Sequence, residues 1–165
     1  MMITLTGFMG GGKTTVGRLL ADALGCPFMD LDDLIVKKAG KSIPDIFAQD
    51  GEPAFRQLEA RLLRQTVEKY AETTAVLALG GGAVMTPASA ALLHEKTVCI
   101  YLRATLDTLQ SRLAGETAGR PLADDAMAAR LAEREPVYEE TAHVIIDTDG
   151  LSPDEVADEI IISAL

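Results

Sequence analysis

The segment GFMGGGKTT, Gly7 to Thr15, constrains the fold more than any other part of the chain. It fits the pattern G-x-x-x-x-G-K-[ST], and it lies between a short apolar run, MITLT, and a helical pattern from Lys13 to Leu24. Glycines permit positive φ and bring backbone amides within hydrogen-bonding reach of phosphate oxygens. The helix that follows adds free N–H groups and a positive dipole end. The segment therefore predicts a strand–loop–helix unit that binds the phosphates of a nucleotide.

Individual residues of this loop have expected roles. Lys13 is expected to place its charge at the β- and γ-phosphates of ATP, and the Thr14 hydroxyl to ligate Mg²⁺. The pattern does not require three consecutive glycines, and the sequence alone gives no reason for Gly11. The motif specifies a triphosphate but no reaction. The predicted nucleotide contacts in the loop are Gly10, Gly11, Gly12, Lys13, Thr14 and Thr15.

Short apolar runs alternate with longer helical patterns along the rest of the chain. Residues 31–68 are helical in pattern, with breaks near Gly40 and at Asp50–Gly51, and a closing helix is expected from Pro153 after a Ser152 cap. Near-continuous apolar strands separated by helices are typical of a parallel sheet covered on both faces. The prediction is a three-layer α/β fold with a five-stranded parallel sheet. The predicted strands are 2–6, 26–29, 74–79, 97–102 and 143–147.

Composition limits the class of function. The chain has 165 residues, enough for a single domain, with 48% hydrophobic residues, and its net charge of -10 opposes nucleic-acid binding. No apolar run is long enough for a membrane span and no leader pattern precedes the first strand, so we expect a cytoplasmic protein. A compact single domain with no obvious exposed apolar stripe favours a monomer. Two cysteines match no metal or redox spacing, and His94 and His143 match no catalytic pattern and are predicted to be structural.

Carboxylates follow the second predicted strand in the segment FMDLDD. Asp30 and Asp32 are two residues apart, so they would face the same way if the backbone stayed extended. Two acids beside a phosphate loop suit ligation of Mg²⁺ and the orientation of a hydroxyl nucleophile, although helix capping and solvated charge remain an alternative for each. Asp33 is the preferred capping candidate and is left out of the predicted site.

Glycines and arginines follow at other strand ends and on the helices. Gly80–Gly82 come directly after the third strand, either as a tight turn or as bare backbone that a ligand approaches closely. Arg56 and Arg134 are candidates for a bidentate grip on a carboxylate, with a helix-surface role as the alternative. Arg120 lies in a turn-rich segment, 114–125, and is expected either to close over the phosphates or to be a mobile surface residue.

The chain resembles the shikimate kinase family over nearly its whole length. The resemblance rests on the order of its motifs: GFMGGGKTTVGRLLA, FMDLDDLI, KSIPDIFAQDGEPAFRQLE, LALGGGAV, RPLA, EREPVYEE and VIIDTDGLSP. It implies a P-loop fold of the nucleoside-monophosphate-kinase type, with a shikimate-binding helical segment at about 31–62 and a lid at about 114–126. It implies transfer of the ATP γ-phosphoryl group to the 3-hydroxyl of shikimate.

The resemblance also implies roles for individual residues. Asp32 matches the acid at the substrate hydroxyls, and Arg56 and Arg134 match the pair on the shikimate carboxylate. The substrate-facing turn matches Gly80, Gly81 and Gly82, with the last two closest. Asp30 matches the acid on the Mg²⁺ side. Further matches concern the nucleotide: Arg120 as the lid arginine at the phosphates, and Arg112 and Pro153 at the adenine.

The implied catalytic residues are Lys13, Asp32 and Arg120. Two other classes of function share part of this pattern. A different small-molecule kinase, such as a gluconate kinase, would share the phosphate loop but not the paired AFRQLE and LGGGAV segments. A catalytically silent nucleotide-binding module would tolerate loss of Lys13 or Asp32, and both are present.

Overall fold

The computed structural model describes residues 1–116 and 124–165, and these contain one parallel sheet. Its strands are β1 (Met2–Thr6), β2 (Phe28–Asp30), β3 (Ala75–Ala78), β4 (Val98–Arg103) and β5 (Val144–Asp147), in the spatial order β2-β3-β1-β4-β5. The sheet therefore has its first strand at the centre. Every pair is parallel, so all five carboxyl ends lie at the same edge.

Helices follow the strands in alternation, as parallel pairing requires. A single 3₁₀ turn, Ala83–Met85, lies between β3 and the helix after it. The helices are α1 (Lys13–Leu24), α2 (Leu31–Ala39), α3 (Ile43–Asp50), α4 (Glu52–Lys69), α5 (Pro87–Lys96), α6 (Leu106–Glu116), α7 (Asp124–Thr141) and α8 (Pro153–Ala164).

Alternation along the strands divides the core into two layers. Ile3 and Leu5 of β1 belong to a cluster that packs against α1 and α8, through residues such as Leu20 and Ile160. Met2, together with alternate residues of β3 and β4, belongs to a second cluster with α2, α4, α5 and α7. Successive strand side chains point to opposite faces, so continuous apolar runs are what a sheet covered on both faces needs. The predicted three-layer fold is confirmed in the described residues.

The predicted bounds of the strands and helices lie within a few residues of those in the structure. The second strand runs from Phe28 to Asp30, so it starts two residues later and ends one residue later than expected, and α6 extends to Glu116, into the segment 114–125 that was predicted to be turn-rich. The helix breaks at Gly40 and at Asp50–Gly51 occur as predicted. None of the described helices has the length and apolar character needed to cross a bilayer.

The start of α2 corrects two expectations about the acids after β2. The backbone does not stay extended there, because the helix begins at Leu31 directly after Asp30. Asp30 itself is the cap, and its carboxylate accepts a hydrogen bond from the Asp32 amide at 2.9 Å. The preference for Asp33 as the capping residue was therefore wrong. The reason is geometric, since a cap side chain bonds to the amide two or three residues after it, and Asp33 is already inside the first turn.

Candidate active site

The loop between β1 and α1 turns with backbone that favours glycine. Gly10 and Gly12 have φ of 80° and 83°, in the left-handed region where a Cβ is disfavoured. Gly12 caps α1 and provides no side-chain hydrogen bond, so the first amides of the helix remain available to an anion. The loop therefore presents backbone donors at the centre of the sheet edge.

Gly11 has a steric explanation that the sequence did not reveal. Its amide donates to the Phe8 carbonyl at 3.1 Å, closing a tight turn within the loop. A Cβ at Gly11 would lie 3.0 Å from that same carbonyl oxygen and 3.6 Å from the Leu102 oxygen. Both neighbours are backbone atoms of the loop and of β4, which cannot move aside as a side chain would. Glycine at position 11 therefore allows close packing of the loop, and a larger residue would crowd the Phe8 carbonyl.

Lys13 is folded back onto the loop. Its ammonium donates to the carbonyls of Gly7 at 2.8 Å and Phe8 at 3.0 Å. Burial, with a smaller contribution from the charge of Arg134, lowers the pKa of Lys13 to about 8, although Asp32 and Asp30 act in the opposite direction. The charge is thus held at the phosphate loop with little solvent around it, where its interaction with an anion is strong.

Asp30 and Thr14 supply two neighbouring side-chain oxygen atoms of the kind that bind Mg²⁺. The Thr14 hydroxyl donates to the Asp30 carboxylate at 2.9 Å, beside the loop amides. One hydroxyl and one carboxylate suit Mg²⁺, which usually keeps several waters and takes few protein ligands. The described residues contain no cluster of three or more His, Cys, Asp or Glu residues arranged to hold a metal ion. The two residues fit a magnesium ion bound together with phosphates.

Two adjoining cavities share the phosphate loop. One of about 160 Å³ is lined by Gly10–Thr15 alone. The other, about 230 Å³, runs from the same glycines to Arg112, Leu151 and Pro153. Arg112 is fixed there by donating to the Gly10 carbonyl and to the Thr148 hydroxyl, each at 3.3 Å. The larger cavity places an apolar wall and a planar cation beside the phosphate loop, an arrangement suited to a nucleotide base.

Asp32 projects from the first turn of α2 towards the turn after β3. A Cβ on Gly80 would lie 2.9 Å from Asp32 Oδ1, so the carboxylate lies directly against bare backbone. Burial raises the pKa of Asp32, and the neighbouring Asp30 raises it further, while Lys13 opposes them. An acid of this kind can accept a hydrogen bond or a proton from a hydroxyl.

Arg56 approaches the same turn from α4. A Cβ on Gly82 would lie only 2.5 Å from Arg56 Nη2, so only glycine leaves room for the guanidinium. Its Nη1 donates to Glu59 Oε1 at 2.9 Å, and the Glu59 side chain is 2% exposed. Burial raises the pKa of Glu59, and the hydrogen bond from Arg56 opposes this change. The buried acid fixes the direction of the guanidinium.

Arg134 approaches from α7 on the other side of the turn. Its Nη1 would lie 3.1 Å from a Cβ on Gly81, and its guanidinium carbon lies 5.8 Å from the centre of the Phe8 ring. The Tyr138 hydroxyl, one turn further along α7, donates to the Gly81 carbonyl. Two arginines from two helices thus converge on one glycine turn, next to Asp32 and the phosphate loop.

The comparisons with known proteins agree with this geometry. A sequence model described as shikimate kinase matches residues 9–164. The chain is 42% identical over 164 residues to the shikimate kinase of Enterococcus faecalis, covering 96% of this chain and 95% of that protein. It is 45% identical over 163 residues to the shikimate kinase of Geobacter metallireducens, covering 96% and 88%. The chain belongs to the shikimate kinase family.

A solved structure extends the similarity to three dimensions. The shikimate kinase of Acinetobacter baumannii in complex with shikimate superposes with a TM-score of 0.86 at 33% identity, covering 97% of this chain and 90% of that one. Membership of the shikimate kinase family and its kinase fold are therefore confirmed.

The fold brings most of the predicted site residues to one sheet edge. The first group surrounds the phosphate loop and consists of Gly10–Thr15, Asp30, Arg112 and Pro153. The second surrounds the glycine turn and consists of Asp32, Arg56, Gly80–Gly82 and Arg134. Arg120, and with it most of the predicted lid at 114–126, lies outside the described residues, so its role stays a prediction.

Three residues of this site were not predicted from the sequence. Glu59 anchors Arg56, Tyr138 holds the Gly81 carbonyl, and Thr148 holds Arg112 through its hydroxyl. A signal existed for Glu59, because AFRQLE places an acid three residues after Arg56 on a helix. The bonds of Tyr138 and Thr148 join segments distant in the chain, so no local pattern indicates them.

Proposed function

We propose that this chain uses the site described above to transfer the γ-phosphoryl group of ATP to the 3-hydroxyl of shikimate, giving shikimate 3-phosphate and ADP, a step of chorismate and aromatic amino-acid biosynthesis. The observation that carries the proposal is the convergence of Arg56 and Arg134 on the bare turn Gly81–Gly82, beside Asp32. A small acceptor that carries both a carboxylate and hydroxyl groups fits such a pair of arginines next to an acid.

On the acceptor side, Arg56 and Arg134 bind the shikimate carboxylate. Guanidinium groups bind carboxylates through two parallel N–H···O bonds, which fix orientation as well as position. The turn Gly80–Gly82 lets the ring of the acceptor lie close to the backbone, and residues 31–62 supply this side of the site through Asp32 and Arg56. Two aimed arginines suffice to bind a small monoanion even though the net charge of the chain is -10.

Asp32 acts on the acceptor hydroxyl. It accepts the hydroxyl hydrogen bond and orients the oxygen for in-line attack on the γ-phosphorus, while the bond from that phosphorus to the bridging oxygen breaks and ADP leaves. Its raised pKa makes the carboxylate a stronger proton acceptor than an exposed one. Positioning contributes a large part of catalysis in phosphoryl transfer, because the transition state involves little covalent chemistry by the protein.

On the nucleotide side, Lys13 and the loop amides stabilise the charge that spreads over the transferring group. Thr14 and Asp30 would hold Mg²⁺, which supplies charge neutralisation at the phosphates. Arg112 and Pro153 contact the adenine, and Arg120 completes the contacts to the phosphates. Cytoplasmic location and a monomeric state are part of the same proposal and rest on the sequence alone.

The reaction is tested by coupling ADP release to NADH oxidation with three acceptors. We expect turnover with shikimate and only background rates with gluconate and with nucleoside monophosphates. Faster turnover with gluconate or a nucleoside monophosphate would replace the proposal with another small-molecule kinase. Phosphorus NMR of the product identifies the oxygen that receives the phosphoryl group, and a phosphate on another hydroxyl would contradict the assigned position.

A further inference from the structure

A cavity on the far side of the glycine turn takes no part in the proposed reaction. It has a volume of about 480 Å³ and lies between the 3₁₀ turn, α5 and α7. We call it the α5–α7 cavity and define it by Val84, Met85, Ala91, His94, Val137 and Glu140. Its volume lies within the roughly 300–1,000 Å³ typical of small-molecule sites.

Small side chains on α5 keep the cavity open. Ala90 and Ala91 line it where larger residues would fill the space between α5 and α7. Most of the remaining wall is hydrocarbon from Val84, Met85 and Val137. An apolar wall binds water weakly, so a compact apolar group is favoured inside it.

The charged and polar groups of the cavity wall determine which polar group of a ligand can bind there. Glu140 lines the cavity from the exposed side of α7, and no Lys or Arg among the described residues forms a salt bridge with it. His94 bonds through Nδ1 to the Thr141 carbonyl, which only accepts, so Nδ1 carries the proton. In the neutral tautomer that this bond selects, Nε2 is an acceptor. Both groups favour a donor, and a net charge of -10 favours a cation.

From these observations we infer that the α5–α7 cavity is a binding site for a small amphipathic amine, with the apolar body between α5 and α7 and the ammonium group at the Glu140 carboxylate. The same features exclude the anionic acceptor of the proposed reaction, because Glu140 would repel a carboxylate. The cavity is therefore a second site with the opposite charge preference.

The walls of the cavity continue into the acceptor site. Val137 lies one turn after Arg134 on α7, and Val84 lies two residues after Gly82. The Tyr138 hydroxyl bonds to the Gly81 carbonyl and ties α7 to the turn. A ligand between α5 and α7 therefore acts on the arginine and the turn that bind the acceptor. This coupling rests on the proposed function, whereas binding itself does not.

The binding test uses phenethylamine as the probe, with phenylacetate as its anionic counterpart, and follows amide shifts of the ¹⁵N-labelled protein without substrates. Phenethylamine is expected to shift the amides of Val84, Met85 and Val137, and phenylacetate to leave them unchanged. Glu140→Gln is expected to weaken amine binding about two- to fivefold, as for a partly exposed ion pair. Glu95→Gln, on the same surface but outside the cavity, is its control.

A second pair of variants tests the location of the apolar body. Ala91→Leu fills the cavity and is expected to abolish the shifts, whereas Ala88→Leu, also exposed on α5 but outside the cavity wall, is expected to retain them. Absence of phenethylamine binding, equal binding of phenylacetate, or unchanged binding to Ala91→Leu would each overturn the proposal. The Km for shikimate, measured with and without the amine, tests the coupling separately, and amide shifts with an unchanged Km would remove the coupling alone.

Discussion

Arg56 and Glu59 lie one turn apart on α4, with Nη1 of the arginine 2.9 Å from Oε1 of a carboxylate that is 2% exposed. The buried acid is costly to desolvate, and its pKa is raised accordingly. In return, the guanidinium is fixed against Gly82, where the acceptor carboxylate is proposed to bind. The burial of Glu59 therefore lowers the folding stability but fixes Arg56 in a preformed binding site, and both effects can be measured.

Glu59→Gln is expected to separate stability from binding. A raised pKa in the folded state means that Glu59 favours folding below its unfolded pKa, and that this contribution is lost as the pH rises through the folded pKa. Glutamine remains neutral, so the variant should gain thermal stability over the wild type at pH 7, with a smaller gain at pH 5. Loss of the charged anchor should raise the Km for shikimate about tenfold or more. A variant that is less stable at pH 7 than at pH 5, relative to wild type, contradicts this account.

Gly82→Ala is expected to displace Arg56 without unfolding the chain. Gly82 has φ of -102°, which alanine adopts freely, and the new Cβ would lie 2.5 Å from the end of a flexible side chain. The melting temperature should change little, while the Km for shikimate rises on the order of tenfold, the cost of about one charge-assisted hydrogen bond. Gly81→Ala, with 3.1 Å to Arg134 Nη1, should have a smaller effect. Equal Km values for Gly82→Ala and wild type would show that the close approach is irrelevant.

ATP binding is expected to weaken as the pH rises through about 8. Burial lowers the pKa of Lys13 to about 8, and only the protonated amine attracts the phosphates. Isothermal titration between pH 6.5 and 9.5 should show falling affinity for ATP, with proton uptake on binding at the alkaline end because phosphate raises the lysine pKa. Adenosine lacks phosphates and is the control. An ATP affinity as independent of pH as that of adenosine would exclude this role for Lys13.

Arg112→Ala is expected to affect the nucleotide alone. The arginine lines the larger nucleotide cavity and bonds to Gly10 and Thr148. Its removal should raise the Km for ATP about fivefold, the cost of roughly 1 kcal/mol of hydrogen bonding, and leave the Km for shikimate unchanged. Arg64→Ala, an exposed arginine on α4, controls for the loss of charge. A rise in the shikimate Km of the same size would place Arg112 elsewhere in the mechanism.

Asp32→Asn is expected to reduce kcat by about 10²- to 10⁴-fold, the range for a positioned acid or base. Nucleotide affinity should change much less, because the amide keeps the shape of the side chain and the loop contacts remain. Asp33→Asn, at the adjacent exposed position, supplies the matched control. A near-normal kcat in Asp32→Asn would mean that the acid neither orients nor deprotonates the acceptor hydroxyl.

Local patterns predicted the fold and most of the candidate site. Parallel strands with both faces buried leave a continuous apolar signal, and residues that follow them must meet at one sheet edge, so Asp32 and Gly80 could be placed together from the sequence. The predicted capping residue of α2 was wrong, because the choice between Asp30 and Asp33 depends on knowing to within one residue where the helix begins.

Contacts between distant segments could not be predicted. Tyr138 meets Gly81, and Thr148 meets Arg112, only through the packing of helices on the sheet. The need for glycine at position 11 depends on the Phe8 carbonyl and on the edge of β4, which no motif encodes. The α5–α7 cavity is the same kind of feature, since it depends on how two helices pack.

The central position of β1 has a consequence for folding while the protein is being synthesised. Met2 pairs with Ala75 of β3, and Ile3 with Val98 of β4, so β1 gains its first neighbour only after β3 has been synthesised and its second only after β4. Pairings over such sequence separations form slowly and leave apolar surface exposed. The edge of β1 that pairs with β4 therefore stays unpaired until residues 98–103 have been synthesised.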